Sequence, residues 1–232
     1  MIYFTGDTHG EQERLSKHAL KKLQHGDTLI VCGDFGYIWE DSAREQKYLD
    51  KLVKLGINIC FLDGTHENFD LLDTYPVVLF CGGKAHRIRR NVFHLLRGQI
   101  YEIEGKRIFA LGGGEPPENQ MQSDEELGTN RPEIPTKNQM LEAVENLQNC
   151  AYQVDYIVTH EPPALIRDFL AVTEMDRREI SALGAFLDEL SKTVTFRHWY
   201  FGSLHTDKYI SRSYTAVFKE LCPASIGEIL AE

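Results

Sequence analysis

The sequence lacks the cysteine pattern of a disulfide-bonded or zinc-knuckle protein. Its five cysteines are odd in number, and no two of them have CxxC spacing. Cys32, Cys60 and Cys81 each lie beside apolar, strand-like residues, where a reduced and buried thiol is the usual outcome. The cysteines therefore predict a reducing compartment.

Long apolar runs and an excess of basic charge are also missing. No apolar stretch approaches the roughly 18 residues needed to cross a bilayer. The start of the chain, MIYFTGDTHG, enters a strand-like run without the basic region or cleavage site of a secretion signal. We therefore expect a cytoplasmic protein with no membrane partner.

With a net charge of −10, the chain is not expected to have a broad basic surface that would neutralise phosphates. We therefore expect no binding to long nucleic acid. The same charge is compatible with an enzyme that binds one phosphate through metal ions, because the ions bring their own positive charge.

The arrangement of apolar residues predicts a mixed α/β fold. In the first half, short apolar runs at Ile2–Thr5, 27–32 and 57–62 alternate with helix-like segments at 11–23 and 41–55. From about residue 85 onward, closely spaced strands follow one another, with two further helical segments between them. Many strands with helices at both ends of the sequence predict two packed sheets with helices on their outer faces.

One long irregular stretch, GGGEPPENQMQSDEELGTNRPEIP at 112–135, has no periodicity and is rich in acidic residues, glycine and proline. A loop longer than about 12–15 residues is usually functional or disordered. Because this one directly follows a predicted strand, we expect a mobile rim or lid beside the functional site. Arg131 within it is a candidate substrate contact.

Five polar clusters each follow a predicted strand. In open α/β folds ligands bind at the carboxyl ends of the strands, so these clusters should converge in space. They are GDTHG at 6–10, GDFG at 33–36, DGTHEN at 63–68, THEPP at 159–163 and GSLH at 202–205.

The residue types in these clusters point to a divalent transition-metal site. Carboxylate and imidazole groups suit Mn, Fe, Zn or Ni, and an Asp-x-His pair leaving a strand places Asp7 and His9 on one side. Taken singly, each cluster has an ordinary alternative: a solvated turn for DxH or GDFG, and a helix entry before Pro162 for His160. Five such clusters in succession favour the metal site.

In order and approximate spacing, the clusters resemble the motifs of the calcineurin-like metallophosphoesterases, which are GDxH, GD, GNH[ED], a lone His and GHxH. The resemblance extends from Gly6 to about Asp207. It implies a single metallophosphoesterase domain over 1–232. It also implies a four-layer αββα sandwich, in which two mixed central sheets are flanked by helices and two metal ions lie above the strand ends.

The resemblance also assigns ligands. It implies a first site, formed by Asp7, His9, Asp34 and His205, and a second site, formed by Asp34, His160 and positions 65 and 203. It implies that His66 contacts the phosphoryl group and can protonate the leaving oxygen. The alternative for His66 is a cap on the following helix.

Two positions depart from the family pattern, and both belong to the second site. Thr65 stands where the family has Asn, and Ser203 stands where it has the first His of GHxH. Neutral hydroxyls bind such ions far less well than imidazole does. We therefore expect one or two bound ions per chain, with the first site stronger than the second.

The leading hypothesis is an enzyme that hydrolyses a phosphate monoester or diester in a small phosphorylated substrate, using a metal-activated water. The alternative is a catalytically weak or inactive relative that serves as a binding or regulatory module, which Thr65 and Ser203 favour. A third possibility is a nuclease-type phosphodiesterase, which the acidic charge would restrict to nucleotides or short oligonucleotides.

Overall fold

The computed structural model describes residues 1–115, 132–171 and 180–224. These residues form two mixed β-sheets, each with helices or turns on its outer face. In chain order the strands are Ile2–Thr5 (β1), Thr28–Val31 (β2), Asn58–Phe61 (β3), Val77–Phe80 (β4), Gly83–Arg89 (β5), Val92–Leu95 (β6), Gln99–Ile103 (β7), Lys106–Leu111 (β8), Tyr156–Thr159 (β9), His198–Phe201 (β10), Lys208–Ser211 (β11), Tyr214–Ala216 (β12) and Cys222–Pro223 (β13). The first sheet has seven strands in the order β13-β1-β2-β3-β6-β5-β4, and the second has six in the order β11-β12-β10-β9-β8-β7.

Four of the five helices in the described ranges begin after a residue whose side chain caps their first turn. The Thr136 hydroxyl accepts from the backbone N–H of Gln139 while the Gln139 side chain accepts from the Thr136 N–H, a complete capping box. No helix in the described ranges has both the length and the apolar character to cross a membrane. The helices are Ala43–Val53 (α1), Phe69–Leu72 (α2), Lys137–Asn149 (α3), Ala164–Leu170 (α4) and Ala182–Thr193 (α5).

Parallel pairing aligns the strand ends from which the polar clusters leave. β1, β2 and β3 are parallel neighbours in the first sheet, as are β8, β9 and β10 in the second. Their carboxyl ends therefore lie in register, and the loops that follow them leave from one edge of each sheet. The aligned residues are Thr5, Val31 and Phe61 in the first sheet and Leu111, Thr159 and Phe201 in the second.

Apolar side chains form three layers. The layer between the sheets includes the stacked rings of Phe4 and Tyr200, whose centroids are 3.8 Å apart. Outside the first sheet, Leu49 of α1 is buried. Outside the second sheet, Leu147 of α3 and Leu187 of α5 are buried. The predicted four-layer αββα sandwich is confirmed.

The predicted helix over 11–23 is wrong, because this segment is a series of turns. Most of its backbone hydrogen bonds, such as Arg14 N–H to Glu11 O, span three residues. Its buried leucines, Leu15 and Leu20, are five positions apart, a spacing that separates them by about 140° around an α-helix. The Arg14 guanidinium also donates to the Gly6 and Asp7 carbonyls, so tertiary contacts fix this segment outside a regular helix.

One predicted cysteine environment is also wrong. Cys32 and Cys60 are buried in the layer between the sheets, but Cys81 is exposed. Cys81 lies in the tight turn between β4 and β5, with a φ of 47°. Its apolar neighbours Leu79 and Phe80 belong to an edge strand with half-exposed faces, which explains why an apolar context did not mean burial.

His198 on β10 is a buried histidine held in one neutral tautomer. Its Nδ1 lies 3.0 Å from the Arg212 carbonyl oxygen and its Nε2 lies 2.7 Å from Thr215 Oγ1. Since a carbonyl only accepts, Nδ1 carries the proton and Nε2 accepts from the Thr215 hydroxyl. Burial lowers the pKa of His198 to about 4, so the folded protein resists protonation at this ring.

We expect this histidine to make stability fall with acid. In the unfolded chain His198 takes up a proton near pH 6.5, whereas in the folded protein it does so only near pH 4. The free energy of unfolding should therefore fall by about 2 kcal/mol between pH 7 and pH 5 on account of this residue. Urea unfolding of wild type and His198→Gln at the two pH values measures it. An equal loss in both proteins would contradict the assignment.

Candidate metal centre

Four side chains from both sheets converge above the strand ends. Asp7 and His9 follow β1, Asp34 follows β2, and His205 follows β10. Each offers one ligand atom, and these atoms all lie within 4.8 Å of one another. That spacing suits a single ion with ligands about 2.0–2.2 Å away.

Asp34 is held at the centre of the group by the loop after β3. Its Oδ1 accepts from the backbone N–H groups of Thr65 and His66, at 2.8 and 2.9 Å. Its Oδ2 lies 3.7 Å from His9 Nε2 and 3.2 Å from His66 Nδ1. Burial by itself would raise the pKa of Asp34, but the charge of His160 and the His66 N–H outweigh it, so the pKa lies below its ordinary value.

Asp7 provides the test of whether a cation fits. Its Oδ1 accepts from the Ser203 N–H at 3.1 Å, whereas its Oδ2 is buried without a hydrogen-bond partner. Burial raises the pKa of this carboxyl to about 6 against the opposing effect of His160. An unsatisfied buried carboxylate oxygen is costly, and a cation at the centre of the group would satisfy it. The residues present therefore fit a metal ion.

His9 and His205 face each other across the same point. Their Nε2 atoms are 3.1 Å apart, and the two rings are nearly perpendicular, at 87°. Burial lowers the pKa of His9 although Asp34 opposes the shift, which favours the neutral imidazole. The neutral ring is the form that ligates a metal.

His160 approaches from the second sheet, after β9. Its Nδ1 lies 3.2 Å from the Cys32 carbonyl oxygen, which only accepts, so Nδ1 carries the proton. Its Nε2 lies on the side of Asp34, with Oδ1 3.8 Å away, and is the nitrogen that can bind a metal once the ring is neutral. A backbone carbonyl that fixes the tautomer in this way is a common support for a ligating histidine.

Glycine makes this close approach possible at Gly33, where the chain has a φ of 93°. A Cβ at Gly33 would overlap the imidazole of His160. Non-glycine residues of the centre also take the left-handed conformation, which costs about 1–3 kcal/mol for each residue and concentrates at functional sites. They are Asp7, His9, Asp34, Ser203 and His205, with φ values between 45° and 57°.

The sequence profile of the calcineurin-like phosphoesterases matches residues 1–209. The chain belongs to the calcineurin-like phosphoesterase family. Members of this family hydrolyse phosphoesters with the help of bound metal ions.

Solved structures add little on substrate. Phosphopantetheinyl hydrolase from Mycobacterium tuberculosis is 14% identical, with 94% of this chain and 89% of that chain covered and a TM-score of 0.46. The protein TT1561 of Thermus thermophilus is 11% identical, with coverages of 98% and 90% and a TM-score of 0.49. No curated protein matches the chain. At these identities and scores, neither neighbour indicates an activity for this phosphoesterase.

The two departures from the phosphoesterase pattern have partners within the protein. Thr65 Oγ1 lies 3.0 Å from His66 Nδ1, and Ser203 Oγ donates to Glu161 Oε2 at 3.3 Å. His66 itself is at the mouth of the centre, with 58% of its side chain exposed. Its ring meets that of His9 edge-on, with centroids 5.6 Å apart, which leaves it open to a substrate.

A pocket of about 340 Å³ adjoins the centre on the side of Ser203, and its lining includes Glu161, Arg167 and Lys208. Arg131 lies outside the described residues. The described ends of the long loop are close to the site: Gly114 lies against Thr65 and His160.

Supporting residues were missed by sequence reasoning. Glu67 is buried, and its carboxylate accepts from the N–H groups of Phe35 and Gly36, which shapes the loop around Asp34. Its place in the GTHE motif was a usable signal. Arg97 donates to the buried carboxylate of Asp63, the residue directly before the GTHE motif. Arg97 Nε lies 2.8 Å from Asp63 Oδ2. Arg97 follows a strand without any motif, so nothing in the sequence marked it.

Gly33→Ala should destabilise the protein more than Gly26→Ala. The two glycines have nearly the same φ, 93° and 90°, so both alanines carry similar backbone strain. A Cβ at Gly26 meets nothing within 4 Å, whereas one at Gly33 overlaps His160. We expect Gly33→Ala to lower the free energy of unfolding by a further ~1–3 kcal/mol, measured by urea unfolding of the metal-stripped proteins. Equal losses would show that His160 does not pack on Gly33.

Proposed function

We propose that this phosphoesterase hydrolyses a phosphate monoester or diester in a small phosphorylated substrate, with a divalent ion such as Mn or Fe held by Asp7, His9, Asp34 and His205. The observation that carries the proposal is the convergence of these four ligand atoms within 4.8 Å. The unsatisfied buried oxygen of Asp7 supports it.

A second ion, as the family pattern implies, would be held in part by Asp34 and His160. There the chain keeps Asp34 and His160, with hydroxyls at Thr65 and Ser203 in place of an amide and an imidazole. Two carboxylates and two imidazoles would hold the first ion, so the first site should be the stronger of the two.

Each group has a defined part in the reaction. Bound ions lower the pKa of the attacking water and stabilise charge that develops on the phosphoryl oxygens. Asp34 is kept ionised and immobile by the Thr65 and His66 N–H groups. His66 is exposed at the mouth, with its Nδ1 3.2 Å from Asp34 Oδ2, which supports a role for its Nε2 in giving a proton to the leaving oxygen.

The substrate is small. The net charge of −10 weighs against extended polyanions, and the pocket of about 340 Å³ beside Ser203 has room for a nucleotide-sized leaving group.

A second candidate function, a weak or inactive relative acting as a binding module, has one observation in its favour. Both non-matching residues, Thr65 and Ser203, fall on the same metal site. The intact first site and His66 favour the enzyme.

The test is a screen of phosphomonoesters and phosphodiesters with added Mn²⁺, run beside metal analysis of the same preparation. We expect turnover that Asp7→Asn abolishes. Bound metal without turnover of any phosphoester would support the binding module. A protein that binds no metal, with or without added Mn²⁺, would reject the proposed function.

His66→Ala should leave metal content nearly unchanged and lower the hydrolytic rate by about 10²- to 10⁴-fold, the usual range for a lost general acid. His18→Ala is the matched control, because His18 is an exposed histidine away from the strand-end clusters. Metal content is read by elemental analysis and the rate by steady-state kinetics. If His66→Ala loses metal, then His66 is a ligand and its assigned role is wrong.

A further inference from the structure

The pocket beside Ser203 is lined by two basic side chains, Arg167 and Lys208. Each follows a histidine of the candidate centre along the chain. Arg167 is on α4, the helix that begins soon after His160, and Lys208 begins β11, soon after His205. The pocket is also joined to the centre through Ser203, whose backbone N–H donates to a carboxylate oxygen of the first site. A group bound in the pocket would therefore lie beside a phosphate bound at the centre.

Arg167 carries an enclosed guanidinium that the described residues do not satisfy. Its side chain is 13% exposed, and its Nε and one terminal nitrogen have no hydrogen-bond partner among the described residues. Asp168 is its nearest paired carboxylate, but Oδ1 lies 3.9 Å from Nε, too far for a hydrogen bond. Enclosed donors without acceptors are costly. An anion that enters the pocket would accept from them after a small rotation of the side chain.

Lys208 adds an exposed positive charge to the same pocket. The ion pairs formed by lysine and arginine within the described ranges do not include it. Its ammonium is a point charge on a flexible stem, which can follow a ligand. Two cations that no described residue neutralises fully thus line one pocket of a chain whose net charge is −10.

Glu161 is the acidic residue of the described lining, and it limits where an anion can bind. Its Oε2 accepts from the Ser203 hydroxyl at 3.3 Å, so it lies at the end of the pocket next to the centre. In the described part of the chain, no ion pair joins it to Arg167 or Lys208. Because its charge repels an anion close by, the favoured place for an anion is the part of the pocket near the two basic residues.

We propose that this pocket is a subsite for a second anionic group of the substrate, a carboxylate or a phosphate carried on the leaving group, and that Arg167 and Lys208 hold it. The inference rests on the proposed function and narrows its substrates to phosphoesters whose leaving group carries a further negative charge. A guanidinium suits this role, because its paired N–H donors match two oxygens of a carboxylate or phosphate. Leu170 and Leu204 also line the pocket and would pack on the carbon atoms between the two anions.

The direct test compares three unreactive probes by calorimetric titration into the Mn²⁺-loaded protein. Butylphosphonate has one anionic end, phosphonobutyrate has a carboxylate at the far end, and propylene bisphosphonate has a second phosphonate there. Wild type should bind at least one of the two probes with a second anion at least about tenfold more tightly than butylphosphonate. Which of the two binds more tightly tells whether the distal group is a carboxylate or a phosphate.

The variants assign this preference to the two basic residues. Arg167→Gln and Lys208→Gln should each reduce it, and the double variant should abolish it, while the affinity for butylphosphonate stays nearly the same. Lys208 is exposed, so its replacement tests the subsite without disturbing the core. Lys51→Gln and Arg90→Gln each remove one exposed positive charge outside the pocket and should behave as wild type.

The outcomes separate this inference from the proposed function. If wild type holds no metal, the proposed function fails and the inference fails with it. If the metal-loaded protein binds all three probes equally, or binds none, the subsite is overturned while the metal centre stands. A preference that Lys208→Gln and Arg167→Gln leave unchanged, or that the control variants reduce as much, would also overturn it.

Discussion

Two buried carboxylates impose the constraint on which the rest of the site depends. Asp7 and Asp34 are enclosed where the edges of the two sheets meet, and the charge of each is felt by the other: Asp34 adds to the burial that raises the pKa of Asp7. Burying such charges without compensation costs several kcal/mol. The imidazoles of His9, His160 and His205 surround them, but the remaining oxygen of Asp7 has no hydrogen-bond partner, and a divalent ion would satisfy it.

The two-sheet architecture makes this concentration of charge possible. The layer between the sheets is apolar and closely packed, with aromatic rings such as Phe4 and Tyr200 in contact. The stability that this packing provides lets the fold tolerate loops with strained backbone at one edge. Gly33 lets His160 approach β2, and the His160 Nδ1–H donates to the Cys32 carbonyl across the gap between the sheets. Part of the backbone strain and of the buried charge thus lies at the edge where a metal would offset it.

Sequence reasoning predicted the parts that have a period or a motif. The alternation of apolar runs indicated the strands and the sandwich, and glycine-flanked Asp and His residues after strands located the centre. The predicted helix over 11–23 was wrong, because the contacts of Arg14 with the loop after β1 override the spacing of the apolar residues. Sequence reasoning also missed Arg97, because the significance of this residue comes from a distant partner, Asp63, that only folding brings near.

The central claim is that Asp7, His9, Asp34 and His205 hold one ion more firmly than the site beyond Asp34 holds a second. Anomalous diffraction at the manganese edge, from a crystal grown with limiting Mn²⁺, measures this directly. We expect a strong peak within coordinating distance of all four side chains and a weaker peak near Asp34 and His160. A missing first peak, or two peaks of equal height under limiting metal, would contradict it.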